Sequence, residues 1–193
     1  MADCRVRRAH VDDAAGIAEV HIAAWSAAYR GIMADEILDS LDLDRQTAGW
    51  AKSLSAEQNP MSTLAAVQPV AGASAGAEAP ADRIVGFGGV CPPRDTAEVL
   101  DRLPEASGLG QLAAINLRPE AFGTGVGALL LHALEDELRA LGYTHAYLMV
   151  AEGNARAMGF YAKHGWHRTE ITHVFDAVSP AVPERMFTID LGD

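Results

Sequence analysis

The chain has 193 residues, a formal net charge of −11, two cysteines, 49% apolar and 21% charged residues. Length and balance suit one globular domain over 1–193 with a sizeable core. The acid excess argues against nucleic acid as the main partner, the cysteines are too few for a disulfide framework or a zinc set, and no run reaches the roughly 18–20 apolar residues of a membrane span. Basic residues near the N-terminus have no apolar stretch behind them, so no signal peptide is expected and the chain reads as cytoplasmic.

Arg5 to Ala9 reads as a short first strand. Val11-Asp12-Asp13 then offers a helix start, with carboxylates at the positive end of the dipole. Ile17, Val20, His21, Ala24, Trp25 and Ala28 recur at helical spacing through Tyr29, and Arg30-Gly31 closes that helix. Two further helices are expected at about 34–41 and 44–54, the second carrying Trp50, followed by a strand at 62–67. Residues 68–82 (QPVAGASAGAEAPAD) have no hydrophobic period and read as a flexible loop between hairpin strands. The strand at 84–91 contains Gly86, Gly88 and Gly89, which suit a bulge or a closely approaching neighbour. A polar connection over 92–110 leads to an apolar strand at 111–117.

After Arg118-Pro119 comes Phe122-Gly123-Thr124-Gly125-Val126-Gly127, opening a helix at about 125–141. That helix sets Val126, Leu130, Ala133, Leu134, Leu138 and Leu141 on one face, and Gly142 ends it. Glycine amides at a helix start point into space and carry the positive end of the dipole, which makes an anion site, most naturally for phosphate. Alone, such glycines also suit a plain turn. A P-loop would need Gly-Lys-Ser/Thr, whereas Gly127 precedes Ala128-Leu129. A dinucleotide fold would want an acidic residue closing the next strand, which ends Met149-Val150-Ala151. The strand 145–150, buried on both faces, completes a strand–helix–strand crossover between parallel strands. Asn154 can cap a last helix, Ala155 to His164, and strands near 166–176 and 184–191 form an antiparallel pair. The expectation is a mixed α+β fold around one sheet.

Three blocks in this order resemble the GCN5-related N-acetyltransferase superfamily: VRRAHVDDAAGIAEVHIAAWSAAYRGIMADEIL, INLRPEAFGTGVGALLLHALEDELRALGY and YLMVAEGNARAMGFYAKHGWHRTE. The resemblance implies an α/β fold, a central mixed sheet of six to seven strands flanked by helices on both faces. Its two parallel strands would splay around a coenzyme A site. It implies acetyl transfer from acetyl-CoA to a primary amine, on a small molecule or a protein N-terminus, by direct attack in a ternary complex and without a metal. Ile115, Asn116 and Leu117 would offer backbone partners to the pantetheine arm, a form of strand addition. The amides of Gly123, Thr124, Gly125, Val126, Gly127 and Ala128 would grip the pyrophosphate, and Asn154 would stand at the cofactor or serve as a cap. The family commonly begins this signature with Gln or Arg; here the position is Phe122, so a side-chain contact is lost. Tyr161, two helical turns after Asn154, matches the tyrosine that often protonates the departing thiolate. A packed tyrosine with a satisfied hydroxyl is the other reading. General-acid help of roughly 10²–10⁴-fold is the most to expect.

A lysine-like amine with pKa about 10.4 is only on the order of one part in a thousand neutral at pH 7, a burden of roughly 4–5 kcal/mol. A base is therefore expected for an alkyl amine. Many relatives use a glutamate on the strand before the turn, but that edge begins here with Gln111, which cannot act as one. His21 is a candidate base; His145, His164 and His167 have weaker claims. Trp25 and Tyr29, one turn apart, line an acceptor pocket or belong to the core. Cys91 has no sequence-paired histidine, which favours direct transfer over a covalent relay. Expected partners are the acetyl-CoA co-substrate and a small-molecule or peptide amine, with no nucleic acid or membrane, and the chain a monomer or homodimer. A CoA-binding sensor of the same fold, without turnover, is the alternative.

Overall fold

The computed structural model describes residues 4–70, 82–103, 107–178 and 180–192. The strands are β1 (Arg5–Arg8), β2 (Ser62–Pro69), β3 (Asp82–Cys91), β4 (Leu109–Leu117), β5 (His145–Ala151), β6 (His167–Phe175) and β7 (Val182–Asp190). They form one seven-stranded sheet in the order β1-β2-β3-β4-β5-β7-β6. Every neighbouring pair is antiparallel except β4 with β5. The helices are α1 (Ala14–Tyr29), α2 (Asp35–Asp39), α3 (Leu43–Leu54), α4 (Ala97–Leu100), α5 (Val126–Ala140) and α6 (Ala155–Lys163). The expected mixed sheet with helices on both faces is what the chain forms. Of the expected loop at 68–82, Gln68 and Pro69 belong to β2 and Asp82 to β3, while 71–81 lie outside the described residues.

Strand alternation divides the core. Leu64, Ala66 and Val85 face the layer made by α5 and α6, whereas Ala65, Val67, Ile84 and Phe87 face Ile17 and Val20 of α1, with Trp50 and Leu54 of α3 behind. On α5, Leu130, Leu134 and Leu138 are fully buried, each worth about 1.5–3 kcal/mol on removal from water. The glycines of β3 serve both purposes suggested for them. The register shifts between Gly89 and Val90, and a Cβ on Gly88 would run into Leu134, so α5 sits directly on the backbone there.

Two expectations are corrected. Leu141 does not extend the buried stripe of α5 and is 49% exposed. Helical geometry ends at Ala140, and Gly142, at φ +87°, turns the chain away. The Tyr143 amide donates to the Leu138 carbonyl (3.1 Å) and the Gly142 amide to that of Arg139 (2.9 Å), the paired bonds of a Schellman stop. The 92–110 connection is also more ordered than its polarity suggested: it contains α4, and β4 already begins at Leu109.

The parallel pair positions everything functional. β4 and β5 are in register only over Leu109↔His145, Gly110↔Ala146 and Gln111↔Tyr147. Beyond that point β4 stays with β3 up to Leu117↔Gly86, and β5 stays with β7 up to Ala151↔Glu184. Each strand is held by its antiparallel partner, so the two diverge. A partly buried polar knot closes the vertex: the Tyr147 hydroxyl donates to Asp95 (2.6 Å), the Gln111 amide donates to the same carboxylate (3.2 Å), and the Arg94 amide donates to Gln111 Oε1 (3.0 Å). Gln111 is thus a structural tie.

Candidate active site

The gap between the diverging strands is a cleft of about 470 Å³. Leu112 to Leu117 of β4 line one side and Leu148 to Val150 of β5 the other. Trp25 and Tyr29 of α1 close one end, and α6 contributes Arg156, Phe160, Tyr161 and Lys163. Phe122, Gly123, Gly125, Gly127 and Ala128 of the turn complete it, as does Asn154. Most of the residues singled out in the sequence therefore meet in one place. Thr124, Val126 and His21 do not line the cleft. The Thr124 hydroxyl donates to the Ala121 carbonyl (2.7 Å), and the Val126 side chain is buried in the core.

The turn has the form an anion needs. Gly123 (φ +73°) and Gly125 (φ +93°) adopt left-handed backbone that L side chains resist, and a Cβ on either would meet nothing within 4 Å. The first helical bond of α5 is Leu129 N–H to Gly125 O (3.1 Å), so the preceding amides of Val126, Gly127 and Ala128 lack helical acceptors. A row of free donors at a helix start, beside an apolar strand edge left by β5, fits a pyrophosphate with an extended amide-bearing arm.

Phe122 has a role that the sequence did not reveal. The guanidinium of Arg156 lies over its ring, with Cζ 4.5 Å from the centroid. A guanidinium from the first turn of α6 thus stands beside the turn, steadied by a cation–π contact. The only local signal was an arginine two residues after the helix cap. Asn154 is that cap, its Oδ1 accepting from Ala157 N (3.1 Å), while its side chain also lines the cleft.

Tyr161 is 7% exposed, and its hydroxyl has no hydrogen-bond partner among the described residues. Burial, reinforced by the neighbouring Tyr29, raises its pKa far above that of an ordinary phenol, so it carries its proton at neutral pH. Burial and the charge of Glu184 push Tyr29 up as well. His21 stands outside the cleft, packed edge-on against Trp25 (4.9 Å between centroids), Trp50 (6.1 Å) and Phe87 (6.0 Å). Its Nδ1 is buried without a partner, and burial lowers its pKa. His164 lines the cleft with Nδ1 2.8 Å from the Phe160 carbonyl; His145 lies beside Thr144, and His167 is exposed at the start of β6. Cys91 is buried, and burial raises its thiol pKa, away from the reactive thiolate. Among the described residues no group of three or more His, Cys, Asp or Glu could hold a metal ion, and no helix is long and apolar enough to cross a membrane.

The sequence model of the Acetyltransferase (GNAT) family matches residues 37–166. The chain belongs to that family. The match runs from α2 past the end of α6 and takes in β4, the glycine turn, β5 and α6, though not the α1 residues at one end of the cleft, so the family's acetyl transfer from acetyl-CoA is the chemistry this fold serves. Solved structures share the fold at low identity. PaiA N-acetyltransferase from Thermoplasma acidophilum, in complex with coenzyme A, is 17% identical with a TM-score of 0.65, over 97% of this chain and 99% of that one. The yncA protein from Salmonella typhimurium, solved with acetyl-CoA, is 18% identical with a TM-score of 0.65, over 98% and 95%. Ribosomal-protein-alanine N-acetyltransferase from Brucella melitensis is 15% identical with a TM-score of 0.64, over 96% and 99%. No curated protein matches the chain.

Proposed function

We propose that this GNAT protein is an N-acetyltransferase that moves an acetyl group from acetyl-CoA to a primary amine, of a small molecule or a protein N-terminus, by direct attack in a ternary complex. The observation that carries this reading is the convergence of three features on one wedge-shaped cleft: the free amides of the glycine turn, the unpaired edge of β4, and the protonated, unpartnered hydroxyl of Tyr161. The names of PaiA N-acetyltransferase and ribosomal-protein-alanine N-acetyltransferase support an amine as the acceptor.

The amides of Gly123, Gly125, Val126, Gly127 and Ala128 hold the pyrophosphate, while that of Thr124 is turned to the Ala121 carbonyl (3.4 Å); Arg156 adds a positive charge beside them. Ile115, Asn116 and Leu117 align the arm along β4. Tyr161 then donates its proton to the sulfur as the thioester opens. A thiol resembling cysteine, with pKa about 8.5, is a fair leaving group, so this help is a modest part of the acceleration. Cys91, buried at the β3 end, has no part in a relay. Thiol release from acetyl-CoA, followed across a panel of primary amines, tests the reading. Amine-dependent release supports it; CoA binding with no release from any amine would replace it with the sensor reading.

A further inference from the structure

Among the described residues lining the cleft, His164 is the one imidazole that could take a proton from the acceptor, and its Nδ1 is turned to the Phe160 carbonyl (2.8 Å); β7 carries a carboxylate next to the cluster that holds Tyr29. Side chains alternate along β7, so Val182, Glu184 and Met186 share a face. Val182 packs with Met33, Leu38 and Ala151, against which Trp25 and Tyr29 lie; Met186 packs with Tyr147 and Met149. Glu184 sits between these two apolar clusters, opposite Ala151 on β5 and His173 on β6. It is half-buried, and among the described residues its carboxylate makes no hydrogen bond and no ion pair.

The ionisable groups around it are few. His173 is paired with it on β6, and it lies within electrostatic reach of Tyr29 of α1 and of Asp95 after β3. Asp95 is already engaged by Tyr147 and Gln111. Burial raises the Glu184 pKa, His173 opposes this and Asp95 adds to it, with a net rise above the ordinary carboxylate. A carboxylate without a hydrogen bond, set next to the apolar cluster on which Trp25 and Tyr29 pack, is complementary to an alkylammonium.

We propose that Glu184 draws the ammonium form of the acceptor to the Tyr29 end of the cleft and takes one of its protons. The inference rests on the N-acetyltransferase reading and narrows the acceptor to an amine that is charged at neutral pH. The bookkeeping is simple: R–NH₃⁺ and the carboxylate become R–NH₂ and the carboxylic acid. The neutral nitrogen then forms the N–C bond to the thioester carbonyl as the C–S bond breaks. The sulfur takes the Tyr161 proton, the nitrogen's surplus proton restores Tyr161, and Glu184 returns its own proton to solvent. A carboxyl with a raised pKa lies nearer the working pH and is the better base for it.

The test separates this idea from the reading beneath it. Protein carrying ¹³C-labelled glutamate carboxyls is titrated by NMR with CoA bound, and Glu184→Gln identifies the resonance by its loss. The resonance is expected to titrate above about 4.3, the ordinary glutamate value, and to shift on adding n-butylammonium but not n-butanol. A resonance indifferent to the ammonium in CoA-loaded protein overturns the proposal, whether or not the wild type turns over. In kinetics with n-butylamine, Glu184→Gln should lose about 10²-fold in kcat/KM and the acid limb of the pH profile, with CoA binding unchanged. A wild-type rate and an unchanged acid limb in the variant would also overturn it. Absence of thiol release by the wild type with any amine would instead sink the N-acetyltransferase reading, leaving the resonance shift to decide whether Glu184 binds the cation.

Discussion

The two ends of the cleft are built in different ways. The proposed donor end is mostly backbone: amides of the glycine turn and of the start of α5, fixed by left-handed Gly123 and Gly125, with the Arg156 guanidinium of α6 over Phe122 beside them. The proposed acceptor end is side chains from elements far apart in sequence: Trp25 and Tyr29 from α1 and Met149 from β5, with Glu184 proposed from β7. A backbone site recognises a charge that every donor of this kind shares, and it depends little on the flanking side chains. A side-chain site can be rewritten residue by residue, so selectivity for an acceptor is expected to reside there.

Substitutions at each end should therefore fail in different assays. The largest effect is expected at Tyr161, which stands where the ends meet. Tyr161→Phe should lower turnover about 10²-fold while leaving the dissociation constant for CoA, measured by calorimetry, unchanged; an unaltered rate would remove it from the chemistry. At the donor end, Gly125→Ala forces a Cβ onto left-handed backbone at a cost of about 1–2 kcal/mol. It should weaken CoA binding by roughly tenfold and leave the apparent affinity for the amine alone. Tyr147→Phe strikes the vertex both ends depend on, removing the Asp95 bond and leaving a partly buried acceptor short of a donor. A loss of about 1–3 kcal/mol is expected in urea unfolding, with Phe accommodated sterically. Phe122→Ala releases Arg156 from its ring. An exposed cation–π contact of about 0.5–1 kcal/mol predicts CoA binding weakened by only a few-fold, and Arg156→Ala should abolish any further effect of the Phe122 change. Additivity of the two would show that the pair does not act together.

The smallest effect calibrates the rest. Burial lowers the His21 pKa in the folded state, so the unfolded chain binds its proton more readily. Stability from this group is fully present above the unfolded value of about 6.5 and is lost as pH falls below it toward the folded value. His21→Phe should flatten the fall in urea midpoint between pH 7.5 and roughly 5.5 without altering the pH profile of turnover. A changed turnover profile would return His21 to the mechanism.

What the sequence disclosed follows the same division. The glycine turn, the cap at Asn154 and the leucine stripe of α5 are local patterns, and each appears where its spacing placed it. Leu141 was misjudged because a stripe counted every 3.6 residues does not register the left-handed Gly142 that ends the helix. The knot of Asp95, Gln111 and Tyr147 joins residues 16 and 52 apart, and Asp95 lies in a stretch that composition alone marks as connection. The stacking of Arg156 on Phe122 and the approach of Glu184 to Tyr29 depend on how α6 and β7 return to the turn and to α1. No periodicity encodes such meetings.

The short register of β4 with β5 has a mechanical consequence. Four strands, β1 to β4, form one panel and three, β5, β7 and β6, form another; among the described residues β4 and β5 are in register over three residue pairs, all at one end of the sheet. The sheet is thus a hinged pair of leaves. Whatever lies along the free edge of β4 acts as a strap across them, so amide exchange from 112 to 117 reports directly on whether the leaves are fastened.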